Sequence, residues 1–388
     1  MDHPIAEGQT PSKKSISFVV PCLNERETLP EVLTKINNLC RTALSDRETE
    51  VIVCDNGSSD GSVEVAETHG AKVLHCATPG YGAVLLCGIR QARGDLVLFA
   101  DADNTYDFLE APRLVEQLDK GFDLVIGSRL AGQIHPGAMP FLHRYVGTPV
   151  LTSLINLFYA GKGSRIADCN SGFRGFTRAA FLSWGVASPG MEFASEMLVK
   201  ALKAHATISH VPVSLYPRAG QRKPHLKRWQ DGMRHLLQVF LDCPRFFFLT
   251  GSVLFCLSWL VLLLGLLVGP VWIGPAAILG LHSMMFGLLG SLFGITICST
   301  GLFLAEKTGA NIRAYRYVVA LSEGKLFWFA FAVLAASFAI LLVPVIHWGL
   351  QGFHSIHIEK ATLLAVTLAS DGILLVSNAI TAHMLKRL

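Results

Sequence analysis

Four stretches in the C-terminal third, Phe246–Val268, Ala276–Ala305, Leu326–Ile346 and Ala361–His383, constrain the fold most. Each is apolar for roughly twenty residues or more, the length needed to cross a bilayer as a helix. The second is rich in glycine, which suits tilt or close helix packing. The chain has 388 residues, 51% of them hydrophobic and 16% charged, and the apolar excess belongs to this part. Up to about Cys243 the text reads as a water-soluble α/β protein. The expected division is therefore a polar tail over 1–15, a catalytic α/β domain over 16–224, an amphipathic interfacial helix over 225–245 and a membrane domain over 246–388.

Lysine and arginine placement sets the expected orientation. Arg218, Arg222, Lys223, Lys227, Arg228, Arg234 and Arg245 precede the first span, and Lys307, Arg313, Arg316 and Lys325 lie between the second and third. The other two loops are nearly bare of charge, and Lys386 and Arg387 close the chain. An integral membrane protein with its catalytic domain and both termini in the cytoplasm is expected. Met1–Ser15 has no apolar core, so no cleaved signal peptide is expected. The nine cysteines form no C-x-x-C pair, and reduced thiols are expected. Asp371 falls inside the last span, where a carboxylate needs a partner.

In the soluble part, Ser17–Val20, Val51–Cys54, Val73–Cys76, Leu96–Ala100 and Leu124–Ile126 are short β-rich runs. Helical patterns over Glu31–Leu44, Ser62–His69, Ala83–Ala92 and Glu110–Asp119 separate them. Such alternation predicts a mostly parallel sheet covered on both faces, with ligands bound outside the carboxyl ends of the strands. After the first strand comes Pro21-Cys22-Leu23-Asn24-Glu25, and after the second Asp55-Asn56-Gly57-Ser58-Ser59-Asp60-Gly61. Glu25 and Asp55 at neighbouring tips are suited to accept hydrogen bonds from a nucleobase. After the fourth strand comes Asp101-Ala102-Asp103, two carboxylates one residue apart. That spacing suits Mg2+ or Mn2+, which take one or two carboxylates and complete their shell with substrate phosphates. Gly80-Tyr81-Gly82 resembles a phosphate-binding turn, but no G-x-G-x-x-G follows the first strand, which argues against a dinucleotide dehydrogenase.

Taken in order, Phe18-Val19-Val20-Pro21, Asn24-Glu25, the Asp55–Gly61 turn and Asp101-Ala102-Asp103 resemble the signature of family 2 glycosyltransferases of the GT-A fold. Gly127-Ser128-Arg129, Asp168-Cys169-Asn170-Ser171-Gly172-Phe173-Arg174, and Arg218 before Gly220 and Lys223 resemble the polyprenyl-phosphate hexose synthases, the dolichyl-phosphate and undecaprenyl-phosphate group. The likeness covers about residues 16 to 235. It implies transfer of a hexose from a UDP- or GDP-sugar to a polyprenyl phosphate at the cytoplasmic membrane face, by metal-assisted inverting displacement. The expected partners are the nucleotide sugar, the polyprenyl phosphate and the membrane, with no nucleic acid; a homo-oligomer is left open.

The resemblance also implies roles. Asp101 and Asp103 are expected to hold the metal and diphosphate, and Asp168 and Arg129 join them as catalytic candidates. Thr105 stands where relatives often have Gln. Pro21, Asn24, Glu25, Asp55, Gly57, Ser58, Asp60, Gly82 and Ala102 are the expected donor-binding residues. Arg129, Arg144, Arg174, Arg218 and Lys223 are the expected acceptor-phosphate residues, since a guanidinium fork binds two phosphate oxygens at once. For Asp168 a turn-fixing role stands beside the catalytic one. Arg222, Lys227 and Arg228 read as a basic skirt toward anionic lipid. Glu192 and Glu196 lie one helical turn apart, and Glu192 is a further candidate near the sugar. Leu226, Trp229, Met233, Leu236, Leu237, Phe240 and Leu241 recur at helical spacing, as in a helix lying in the membrane interface or packing on the domain's own core.

Two other functions fit parts of the text. A processive polysaccharide synthase shares the D-x-D but usually carries Q-x-x-R-W before a span, and here His225 stands three residues before Arg228-Trp229. A membrane scaffold with a degenerate transferase domain is the non-enzymatic alternative, and intact Glu25, Asp55, Asp101 and Asp103 argue against it.

Overall fold

Every residue of the runs 16–20 and 96–100 is buried. Continuous rather than alternating apolar text is what a strand covered on both faces requires. The computed structural model describes residues 13–161, 164–218, 228–268, 270–273, 276–277, 279–310, 312–313, 323–350 and 360–387. Lys223, Arg222, Leu226, Lys227 and Arg316 lie outside the described residues, as does most of the polar tail. The chain divides into two units, Met1–Val239 and Phe240–Leu388.

The first unit is built on seven strands: β1 (Ile16–Cys22), β2 (Thr49–Asp55), β3 (Lys72–His75), β4 (Leu96–Phe99), β5 (Leu124–Ser128), β6 (Arg174–Thr177) and β7 (Ile208–Pro212). Their order is β3-β2-β1-β4-β6-β5-β7. All pairs are parallel except those of β6, which runs antiparallel between β4 and β5. The five strands expected from the sequence are present, and β6 and β7 were not foreseen. β6 opens on a charged residue and spans four residues, and β7 mixes Ser209 and His210 with its apolar residues, so neither shows an apolar run. Helices α1 (Leu29–Arg41), α2 (Ser62–Thr68), α3 (Tyr81–Gln91), α4 (Ala111–Asp119), α5 (Thr148–Tyr159), α6 (Arg178–Trp184) and α7 (Phe193–Lys203) complete the covering.

Strand alternation splits the core into two layers. Phe18, Val20, Leu96 and Leu98 pack on one face with Phe108 and Phe173. Val19, Val97 and Phe99 pack on the other with Phe176, Phe181 and Phe193. Phe18 meets Phe108 edge to face at 6.1 Å between centroids, while Phe176 stacks on Phe181 at 4.7 Å. These rings fix β4 between two rigid layers, and β4 carries the D-x-D at its end.

Helix α8 (Arg228–Leu241) docks on the first unit through His235, whose Nδ1 lies 2.7 Å from Ser195 Oγ, and through Val239, which is fully buried. Met233 and Leu237 on the same helix are exposed. The helix thus packs on the domain core with one face and shows apolar residues on another.

Among the described residues the second unit contains four helices long and apolar enough to cross a membrane, within Pro244–Leu267, Leu281–Thr308, Glu323–Leu350 and Lys360–Arg387. The second begins at Leu281 and not at Ala276, because Ala276–Ala277 pairs with Trp272–Ile273 in an antiparallel ribbon. The first two helices pack closely along Gly251, Gly287, Gly294 and Gly301: a Cβ on Gly294 would lie 2.6 Å from Phe255 N. Asp371 has its partners, accepting from Trp259 Nε1 at 3.0 Å and Ser291 Oγ at 3.2 Å. No disulfide joins any of the nine cysteines.

Candidate active site

Parallel register puts Cys22 opposite Asp55 and Val19 opposite Phe99, so β1, β2 and β4 open their carboxyl ends on one side of the sheet. The loops after β1 and β2 are laced together there. Asn24, at φ 54°, donates its backbone N–H to Ser58 Oγ at 2.7 Å and accepts from Ser59 N at 2.7 Å. Glu25 N donates to Ser62 Oγ, and Arg26 N to Asp60, whose other oxygen accepts from Ser62 N and Oγ. Gly57, at φ 95°, and Ser58 both donate backbone N–H to the Asp55 carboxylate. Burial alone would raise Asp55, but these bonds and His75 hold its carboxyl below the ordinary value.

A cleft of about 500 Å3 lies at these ends. Pro21, Glu25, Asp101, Ala102, Asp103 and Arg218 of the expected residues line it. Asn24, Asp55, Gly57, Ser58 and Asp60 do not, and their side chains and N–H groups shape the loops that do. Asn56, Tyr81, Gly190, Met191 and Arg234 line it unforeseen. Asn56 ties the neighbouring loop to the cleft, donating from Nδ2 to Cys76 O and Thr78 O and accepting from Gly80 N, each at 3.0 Å. A polar residue inside a turn motif is the signal that points to it; Tyr81 and Arg234 carry none.

Tyr81 Oη donates to Asp101 Oδ1 at 3.0 Å. Burial, then the charge of Asp103, push the Asp101 carboxyl up to about 7. Asp103 is 4% exposed. Its Oδ1 accepts from Thr105 N at 3.1 Å and Thr105 Oγ1 at 2.6 Å, and its Oδ2 from Arg218 Nε at 2.8 Å and Nη2 at 2.6 Å. Thr105 is thus a holder of Asp103. Among the described residues no cluster of three or more His, Cys, Asp or Glu can hold a metal ion. The donor set is two hard carboxylates facing a cleft, one of them raised by burial and then by its neighbour's charge. That set fits Mg2+ or Mn2+ sharing its shell with substrate phosphates, and does not fit an all-protein metal cage.

Five expected site residues, Gly82, Arg129, Arg144, Asp168 and Arg174, are placed elsewhere. Arg174 is fully buried, donating to Ser171 O, Ala194 O and Cys169 O at 2.8 to 2.9 Å, so its guanidinium holds backbone and has no path to a phosphate. Asp168 is 0% exposed and takes Arg129 Nε and Nη2, each at 2.8 Å, plus Arg129 N and Asn170 N. Burial would raise its carboxyl, and Arg129 brings it below the ordinary value. This pair fixes the Asp168–Arg174 segment, which is the turn-fixing role. Gly82 is packed under the 188–190 loop, where a Cβ would lie 2.9 Å from Gly190 O and 2.7 Å from Phe193 Cβ. The first N–H groups of α3 are taken by carbonyls, Gly82 N by Gly190 O and Ala83 N by Pro189 O, so this turn is no phosphate cradle. Arg144 is half-buried, with its guanidinium 5.3 Å above the Tyr145 ring, away from the cleft lining.

Glu192 Oε1 accepts from Gly190 N at 3.0 Å and so supports the cleft wall. Glu196 accepts from Ala187 N and Ser188 N and pairs with Lys200 at 2.7 Å.

A model of Glycosyl transferase family 2 matches residues 17–182. The chain is 36% identical over 293 residues to the low-salt glycan biosynthesis hexosyltransferase Agl6 of Haloferax volcanii, covering 74% of this chain and 68% of that one. It is 28% identical over 293 residues to an undecaprenyl-phosphate 4-deoxy-4-formamido-L-arabinose transferase of Salmonella choleraesuis, covering 72% and 85%. A crystal structure of glucosyl-3-phosphoglycerate synthase from Mycobacterium tuberculosis with Mn2+ and UDP aligns at a TM-score of 0.48 and 22% identity, over 63% of this chain and 86% of that one. The mostly parallel sheet, the acidic strand ends and the long match to a hexosyltransferase lead to one assignment: the chain belongs to glycosyl transferase family 2, with a GT-A catalytic unit and four apolar helices.

Proposed function

We propose that this glycosyltransferase moves a hexose from a UDP- or GDP-sugar to the phosphate of a polyprenyl lipid, with inversion, at the cytoplasmic face of a membrane. The observation that carries the reading is one cleft lined by Asp101, Asp103, Arg218 and Arg234, in a chain with four apolar helices among its described residues. The named acceptor class of the Salmonella relative, an undecaprenyl phosphate, supports the lipid.

A polyprenyl phosphate is already anionic at neutral pH, so its oxygen attacks the anomeric carbon without a strong base. Among the described residues the cleft lining offers no histidine or lysine. Catalysis then rests on orientation and on charge at the leaving diphosphate. Asp101 and Asp103 would hold Mg2+ or Mn2+, which supplies positive charge to the departing nucleoside diphosphate. Glu25 and Pro21 bound the donor side, and Arg218 and Arg234 serve phosphate oxygens. A phosphate oxygen displaces the diphosphate from the face opposite to it, so the product anomer is inverted.

A second feature of the first unit fits a lipid acceptor. Phe141, Leu142, Tyr145, Val146 and Val150 are all exposed, and Phe141 and Tyr145 pack together at 4.7 Å. An exposed apolar ridge of this kind, with Arg144 within it, suits the headgroup region of a bilayer.

The test is an assay of the purified full chain with radiolabelled UDP- and GDP-hexoses, Mg2+ or Mn2+, and undecaprenyl or dolichyl phosphate. A lipid-soluble product carrying one sugar and labile to mild acid is expected. A polymer would overturn the reading in favour of a processive synthase. Asp103→Ala is expected to lower turnover at least about a hundredfold while membrane insertion persists, since it removes a charge from the leaving-group side.

A further inference from the structure

The Asp103 oxygen that a metal would need already holds a cation. Arg218 sends two N–H groups to Oδ2, while Oδ1 is taken twice by Thr105. Two N–H groups of Arg218 fill both lone-pair positions of Oδ2, so a divalent ion there has to displace at least one of them against the repulsion of the guanidinium charge. The Arg218 side chain is 31% exposed against 5% for Asp103, so the arginine reaches in from the rim and the carboxylate stays fixed. Thr105 keeps that carboxylate oriented with or without its partner.

Charge points the same way. The described cleft lining carries three carboxylates, Glu25, Asp101 and Asp103, and two guanidinium groups, Arg218 and Arg234. Without Arg218 the carboxylates would face a single positive side chain there.

We propose that Arg218 is a placeholder for the metal: it neutralises Asp103 while the donor is absent, and is displaced when the metal arrives with the nucleotide sugar. The released fork then has a phosphate to bind, either that of the donor or that of the acceptor. Arg218 is on this view a positioning residue with two addresses. It makes metal binding without donor weak, and by reciprocity it makes the metal and the anionic substrates bind together. This rests on the assignment of the metal to Asp101 and Asp103 above.

The test uses the full chain in lipid nanodiscs and reads Mn2+ binding, without nucleotide, by the electron paramagnetic resonance of free Mn2+. Arg218→Ala is expected to bind Mn2+ about tenfold tighter than wild type, since a charge-assisted pair no longer competes. Equal affinity would overturn the placeholder. A second measurement needs no variant: phenylglyoxal modification of Arg218, mapped by mass spectrometry, is expected to quicken when saturating Mn2+ is added to wild type without nucleotide, so that no phosphate takes the freed fork. An unchanged rate would overturn it too. If wild type and Asp103→Ala bind Mn2+ alike with nucleotide present, the metal assignment itself fails, and the placeholder falls with it.

Discussion

A Cβ on Gly172 would lie 2.9 Å from Asp101 Oδ2, so the smallest residue of the Asp168–Arg174 segment is the one that backs a cleft carboxylate. Gly172→Ala is expected to displace Asp101 and lower turnover about tenfold, with thermal stability changed little, because the clash falls on a side-chain end and leaves the core intact. Turnover at the wild-type level would show that the Asp101 position is not critical. Asp168 governs stability instead. Its folded pKa is depressed, so its contribution is full above the unfolded value near 3.8 and fades as pH falls through the folded one. Asp168→Asn strands Arg129 and is expected to cost about 3–5 kcal/mol at pH 7. The gap to wild type should narrow below about pH 4, where wild type loses the same charge; a gap constant from pH 7 to pH 3 would contradict this. Pro21, Glu25, Ala102, Asp101 and Asp103 were legible because a parallel sheet delivers its strand ends to one side. Arg129 and Arg174 were not, because an arginine in a signature reads as a phosphate ligand until its burial among carbonyls is known.

At the scale of elements, apolar runs and helical spacing marked five strands and helices α1 to α4, and left β6, β7, α5 and α6 unseen. Arg174 can stand in the buried β6 only because three carbonyls satisfy its guanidinium, a condition set by residues as distant as Ala194. The start of the second apolar helix was misjudged for a related reason: Ala276 is as apolar as the helix residues after it, and only pairing with Trp272–Ile273 takes it out of the helix. Glycine in that helix was legible as a packing signal, and its weight can be measured. Gly294→Leu forces a branched side chain against Phe255 N and is expected to separate the first two apolar helices. Its unfolding temperature in detergent should fall by several degrees, as for an overpacking cost of about 1–3 kcal/mol. The unfolding signal of the catalytic unit should stay unchanged. A stable Gly294→Leu would mean the close approach is incidental.

At the scale of the molecule, the question is which side of the membrane the catalytic unit occupies. The apolar helices do not decide it, since hydropathy is blind to direction, and the orientation proposed above rests on the charges between them. In the sequence Arg313 and Arg316 stand between the second and third helices, with Lys307 and Lys325 in the facing ends of those helices, while Gly269–Pro275 has no charge at all. Each lysine or arginine near an anionic leaflet contributes about 1 kcal/mol, so four of them against none would favour the orientation with this stretch in the cytoplasm. If all four helices cross, that even number would return Lys386 and Arg387 to the side where the catalytic unit lies. That side must be the cytoplasm if the donor is a nucleotide sugar made there. Glu116, on the outer face of α4 with a side chain 63% exposed, offers a reporter far from the cleft. In intact cells a Glu116→Cys chain is expected to escape a membrane-impermeant maleimide, and to react once the membrane is permeabilised. Labelling before permeabilisation would put the cleft on the other side, and with it would go both the cytoplasmic donor and the proposed site of lipid glycosylation.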